Sequence, residues 1–289
     1  MNMQEIALRQ DLPQSAEAVP AEVVALAAGP SRWLRYRRGW LSTISLLSLL
    51  AGWWGLSHSG LIPALFLPAP EAVLNKFYIV STQGFMDATL WQHLGASLER
   101  MTLALLAAVL LGIPLGVLMG VSPVARGLLD PLIEVYRPVP PLAYLPLIVI
   151  WCGIGELSKV LLIFLAILAP IVIATHHGVA QVSRNRLRAA QTLGASRRQL
   201  LWFVVLPEAL PEILTGVRIG LGTGWSTLVA AELIAATRGL GFMVQSAAQF
   251  LVTDVVILGI VVIAAVAFAL ELGLRLLARR LAPWHGQLD

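Results

Sequence analysis

Residues 98–119 read LERMTLALLAAVLLGIPLGVLM, and beyond Arg100 the stretch carries no charge. A helix needs roughly 20 apolar residues to cross the hydrocarbon of a bilayer, and this run has that length. Comparable runs recur on both sides of it, so the chain reads as an all-α integral membrane protein with about six transmembrane helices. The spans expected are Trp40–Leu56, Leu98–Met119, a broken one (Leu128–Tyr136 with Leu142–Ile154), Leu157–Ala174, Ile213–Ala236 and Val255–Leu277.

Composition agrees. Of 289 residues, 58% are hydrophobic and 12% charged, against about 45–50% and about 25% in an ordinary soluble domain. The mean hydropathy is +0.81. Charges this sparse cannot cover a soluble globule of this size. Disordered, collagenous and disulfide-scaffold classes are excluded together. Cys152 is the single cysteine, so no intrachain disulfide can form. The pI of 9.7 follows from arginine collecting on the cytoplasmic side of a membrane protein, and nucleic acid is not an expected partner. Residues 1–39 read as a cytoplasmic tail, 40–280 as the transmembrane domain and 281–289 as a second tail. The first long apolar run starts too far in for a cleavable signal.

Arginine sets the orientation. With the N-terminus inside, cytoplasmic segments hold Arg9, Arg32, Arg35, Arg37, Arg38, Arg126, Arg184, Arg186, Arg188, Arg197, Arg198, Arg275, Arg279 and Arg280. The outer side holds only Lys76, Arg100, Lys159 and Arg238. Both termini are therefore expected in the cytoplasm. The outer stretch 57–97 should carry a short surface helix after Pro70.

Two runs carry glycine at i, i+4 and i+8: Gly112, Gly116, Gly120 and Gly216, Gly220, Gly224. Such stripes let helix backbones approach closely, within one chain or between subunits. Pro114 should kink its helix. Neither a Walker A sequence nor an H-E-x-x-H sequence occurs. No catalytic, cofactor-binding or metal-binding residue is expected in this chain.

The loop 181–207 is the most informative. Arg188-Ala189-Ala190 is followed by Gly194, then by Val204 and by Leu206-Pro207. Two short amphipathic helices are expected, broken at Gly194, with Pro207 stopping the second. This spacing resembles the E-A-A-x3-G-x9-I-x-L-P motif of ABC-importer permeases, with Arg188 in place of Glu and Val204 in place of Ile. Residues 137–147 (RPVPPLAYLPL) and 151–155 (WCGIG), with 84–94 and 224–242, are similar to the nitrate/sulfonate/taurine group of that family.

The resemblance implies a type I ABC-importer permease fold in the bacterial inner membrane. It implies a second copy of the permease, two cytoplasmic ATPase subunits carrying Mg-ATP, and a periplasmic substrate-binding protein. The coupling residues it implies are Arg188, Ala189, Ala190, Gly194, Leu206 and Pro207. The solute is expected to be taurine or a related sulfonate, or else another small solute such as alkanesulfonate, nitrate or a thiamine precursor.

Ionisable groups inside spans are candidates for function. Glu134 and Arg137 stand three apart beside the prolines of the broken span, as an ion pair or facing solute. Glu232 lies above Trp225, Ser226 and Thr227, in the pathway or in a buried structural hydrogen bond. Glu271 and Arg275 read as a structural i,i+4 pair.

Overall fold

The computed structural model describes residues 32–284. Its helices are α1 (Arg32–His58), α2 (Pro70–Thr82), α3 (Leu90–Val121), α4 (Pro123–Tyr136), α5 (Leu145–Cys152), α6 (Glu156–Ala180), α7 (Arg184–Thr192), α8 (Arg197–Leu200), α9 (Leu206–Ala235), α10 (Leu240–Gln249) and α11 (Thr253–Leu281). A 3-10 turn, Pro141–Tyr144, precedes α5, and a π turn, Leu201–Val205, joins α8 to α9. Among the described residues there is no β-strand beyond one isolated bridge, Phe85 to Ala88.

Among the described residues four helices are long and apolar enough to cross a membrane: Leu90–Val121, Glu156–Ala180, Arg197–Ile234 and Thr253–Leu281. The pair α4 and Pro141–Cys152, bent by 89°, is together long and apolar enough for a fifth, counted as one broken span. The bend falls where the sequence predicts it. Pro138, Pro140 and Pro141 lack the amide hydrogens that would continue the helix. The expected first span lies within α1, which is about 40 Å long at 1.5 Å per residue. Serines, glycines and tryptophans interrupt its leucines, and it is not among the four. It falls in a separate compact unit ending at Leu61, while Ile62–Asp289 forms the other.

α6 is the centre of the second unit, with α3 on one side and α9 on the other. Both glycine stripes face it. A Cβ on Gly116 would lie 2.7 Å from the Val172 carbonyl oxygen and 2.5 Å from Thr175 Cβ. One on Gly216 would lie 2.5 Å from Ala174 Cβ. The stripes therefore pack within the chain, where missing side chains replace lipid contact by helix contact. α3 continues through Pro114 to Val121. Its other face exposes Leu103, Leu106, Leu110 and Leu111, and α11 exposes Ile260, Val261 and Phe268. Apolar surface this extensive is suited to lipid.

α1 starts at Arg32, eight residues before the expected Trp40, and three further features differ from the sequence reading. α3 starts at Leu90, eight residues before the run quoted above. Thr89 caps it, its Oγ1 accepting from Gln92 N while Gln92 Oε1 accepts from Thr89 N at 2.8 Å. Pro207 does not stop a helix. The chain stays helical from Arg197 to Ile234, because the π turn ahead of Pro207 widens the backbone where an α turn would clash with the proline ring. α10 was not expected. It starts directly after Gly239, whose φ of +133° allows the tight reversal out of α9.

Candidate functional site

The broken span, α6 and α9 enclose a cleft of about 850 Å³. Tyr136, Arg137, Val139, Pro141 and Tyr144 line it from the bend, and Ala169, Pro170, Ile173 and His177 from α6. Glu212, Thr215, Gly222, Thr223, Ser226 and Thr227 line it from α9. The hydroxyls along α9 donate to their own helix: Thr215 Oγ1 to Pro211 O at 2.9 Å and Thr227 Oγ1 to Thr223 O at 2.9 Å. Ser226 Oγ donates to Gly222 O at 3.2 Å. Each oxygen keeps acceptor capacity toward the cleft. A solute there meets a polar row that needs no partner when the cleft is empty.

Arg137 makes no ion pair among the described residues. It also lines a neighbouring hollow of about 460 Å³ with Asp130, Glu134, Pro138, Ile173 and His177. Glu134 and Arg137 thus share a cavity wall without forming the pair considered from sequence. Of the other pathway candidates, Ser226 and Thr227 stand in the large cleft with Arg137. Trp225 and Glu232 are buried elsewhere and line neither hollow. Tyr136, Tyr144, His177, Glu212 and Thr223 escaped the sequence reading. Glu212 carried a legible signal, as a carboxylate one turn before Gly216 in a glycine-striped helix.

Glu232 instead anchors a buried polar cluster. Its Oε1 accepts from Arg100 Nη1 at 2.7 Å, and Ser97 Oγ lies 2.8 and 3.0 Å from its two oxygens. Gly241 N donates to Oε2 at 2.9 Å. Arg100 also donates to Glu156, through Nε at 2.5 Å and Nη2 at 2.9 Å, and to the Arg238 carbonyl at 2.7 Å. Lys159 Nζ meets Glu156 Oε1 at 2.7 Å.

Arg100 and Lys159, which the sequence reading assigns to the outer side, are buried, 4% and 3% exposed. Carboxylates from other turns and helices compensate them, which makes burial tolerable. Their signal was available, since Arg100 stands at the head of an apolar run and Lys159 three residues after Glu156. Beside them, His93 Nδ1 accepts from Gly239 N at 3.2 Å, so Nε2 carries the proton donated to Phe85 O at 3.1 Å. The cluster ties α3, α6 and α9 to the turn before α10.

At the other end of α9 lies the loop 181–207. α7 ends in a Schellman turn: Ala195 N donates to Ala190 O at 3.1 Å and Gly194 N to Gln191 O at 2.9 Å. Gly194 has a φ of +83°, the left-handed conformation this turn requires. Ser196 then caps α8, its backbone N donating to Gln199 Oε1 at 2.8 Å. Glu208 holds the start of α7 onto α9 through Ser183 N at 3.1 Å and Arg186 at 3.2 Å. Beneath lies a core of Val179, Val182, Val205, Ala209 and Ile213.

Two small hollows flank the exposed Phe203. Ala189, Val204, Pro207 and Glu208 line one, and Ala190, Leu193, Gly194 and Gln199 the other. Ala189, Ala190, Gly194 and Pro207 therefore belong to one exposed surface. Arg188 is exposed at its edge, and Leu206 is half-buried beneath. The other pair noted from sequence does form: Arg275 Nε donates to Glu271 at 2.8 Å, and Arg218 joins it at 2.5 Å.

A central helix clasped by two glycine-striped spans, a proline-broken span over a cleft, and a Schellman-turned loop at one end define a membrane permease. Residues 112–283 match the family described as binding-protein-dependent transport system inner membrane component, and the chain belongs to that family. Members are non-catalytic permease subunits whose ATPase is a separate chain.

The taurine transport system permease protein TauC of Escherichia coli (strain K12) is 67% identical over 259 residues, 89% of this chain and 94% of that protein. The nitrate import permease protein NrtB of Synechocystis sp. is 33% identical over 210 residues, 71% of this chain and 76% of that one. A solved structure of the MetNI methionine ABC transporter, in an inward-facing conformation, matches with a TM-score of 0.60 at 18% identity. It covers 66% of this chain and 95% of the matched chain. The fold is that of a type I ABC-importer permease.

Proposed function

We propose that this chain carries taurine or a closely related small sulfonate across the inner membrane, as one of two permease copies in an ATP-driven importer. A periplasmic binding protein delivers the solute to one face, and two cytoplasmic ATPase subunits holding Mg-ATP dock on the other. Both termini then lie in the cytoplasm, with the tails at 1–39 and 281–289 flanking the transmembrane domain 40–280.

The observation that carries the reading is the cleft, where Arg137, free of any carboxylate partner among the described residues, faces the hydroxyl row of Ser226 and Thr227. Its guanidinium suits a sulfonate, a tetrahedral oxyanion like the phosphate that arginine binds. Glu212 in the same cleft suits an ammonium. A zwitterion needs groups of both signs at membrane depth, where an uncompensated charge is expensive. Glu134 sits in the adjoining hollow as a second negative group along the route. The cluster of Glu232 and Arg100 supports a scaffold role at the outer end.

The surface formed by Arg188, Ala189, Ala190, Gly194, Leu206 and Pro207 is the coupling element. The ATPase grips it through the two hollows beside Phe203, and Arg188 meets an acidic partner group. ATP can drive the switch only by interacting differently with the two conformations, and this loop is where that difference enters.

The test is genetic. This chain, with its own ATPase and binding protein, replaces the permease of a bacterium using taurine as its sulfur source. Growth on taurine supports the reading. Growth on an alkanesulfonate with none on taurine would reassign the solute.

A further inference from the structure

A groove of about 680 Å³ separates α9 from α11 at the end carrying the coupling loop. Trp284, just past α11, lines a hollow with Ala189 and Pro207, which places this end of α11 beside that loop. Arg218 enters the groove from α9, and Arg275 and Arg279 enter it from α11. Glu271 is the carboxylate paired with two of them among the described residues. It accepts from Arg218 and Arg275, and Arg279 has no acidic partner among the described residues. The walls between are apolar, with Leu214 and Leu274 among them.

The depth of this groove follows from helix geometry. About 20 residues span the hydrocarbon. Counted from Ile234 down α9, the far boundary falls near Leu214. Counted from Val255 along α11, it falls near Arg275. The groove therefore straddles the level where acyl chains end and headgroups begin, with Arg279 on the headgroup side. Single arginines at span ends commonly snorkel to water along the helix. Here the guanidiniums of two helices converge on one cleft, and Glu271 holds two of them in place.

We propose that this groove binds the phosphate of an anionic phospholipid, with the acyl chains lying against its apolar walls. Guanidinium forks match phosphate oxygens bidentately, and basic pockets between spans are suited to acidic headgroups. The groove adjoins the solute cleft at Thr215, which lines both, and a free anion is the competing occupant.

The test uses the assembled importer, delipidated in detergent and titrated in native mass spectrometry. One arm adds phosphatidylglycerol, one phosphatidylcholine and one inorganic phosphate. Phosphatidylglycerol should bind in preference to phosphatidylcholine. Arg279→Gln should weaken it about fivefold, and the added Arg275→Gln by a similar factor again. Arg280→Gln, on the same turn but outside the groove, should leave binding unchanged. Equal affinity in wild type and Arg279→Gln would overturn the proposal. So would displacement of the lipid by inorganic phosphate at matched concentration, which would make the site one for free anions.

Discussion

Arg100 Nη1 lies 2.7 Å from Glu232 Oε1, in an interior where the Glu232 side chain has no exposure at all. The two residues are 132 positions apart and come from spans on opposite sides of α6. Their contact closes the end of the bundle opposite the loop 181–207, much as the glycine stripes close its middle.

Removing one partner of a buried pair strands the other charge, at a cost of about 3–5 kcal/mol. Arg100→Leu should therefore sharply reduce folded permease, read as the yield of monodisperse protein and its unfolding temperature in detergent. Arg100→Leu with Glu232→Leu should recover much of that loss, because two apolar groups leave no stranded charge. A double variant no better than the single one would mean that other members of the cluster dominate.

The glycine stripes make a sharper steric prediction. Gly116→Val places a Cβ within 2.7 Å of the Val172 carbonyl oxygen, and overpacking of this kind costs about 1–3 kcal/mol. Gly127→Val meets nothing within 4 Å and should cost little. Thermal unfolding of the two variants should separate them clearly, with Gly127→Val close to wild type.

These contrasts mark what could be read from the sequence and what could not. The broken span at Arg137–Pro141, the glycine stripes and the turn at Gly194 follow from local chemistry: missing amide hydrogens, missing side chains, and one residue free to adopt positive φ. The Arg100–Glu232 contact does not. Its partners are far apart in sequence, and each alone looks like a charge at a span end. Pro207 was misread for a related reason. A proline suggests a stop, and only the π turn ahead of it lets the helix run on. Ser226 and Thr227 were legible as polar groups in an apolar helix. That Trp225, one residue earlier, turns away from the cleft follows from the packing of α9 on α6.

At Gly194 the constraint is conformational. Nothing lies within 4 Å of a Cβ there, yet a left-handed residue with a side chain costs roughly 1–2 kcal/mol, and a β-branched one more. Gly194→Asn should keep the ATPase bound, since asparagine tolerates this conformation. Gly194→Val should leave the permease in the membrane while lowering copurification of the ATPase severalfold. Wild-type copurification with Gly194→Val would remove this turn from the coupling surface.

The cleft can be probed by chemistry. A cysteine replacing Arg137 should react with a small polar thiol reagent supplied from the coupling-loop side in the absence of ATP. One replacing the buried Trp225 should not. Cys152 is half-buried and is first replaced by serine. Protection of both positions would place Arg137 outside the water-filled route.

The most direct measurement is ATP-dependent uptake of radiolabelled taurine into proteoliposomes holding the permease, its ATPase and its binding protein. The wild-type assembly should accumulate taurine. Arg137→Glu, which repels a sulfonate without touching the coupling loop, should lower uptake at least tenfold while the ATPase remains bound. Failure of the wild-type assembly to move taurine while it accumulates nitrate, or undiminished taurine uptake by Arg137→Glu, would contradict the account.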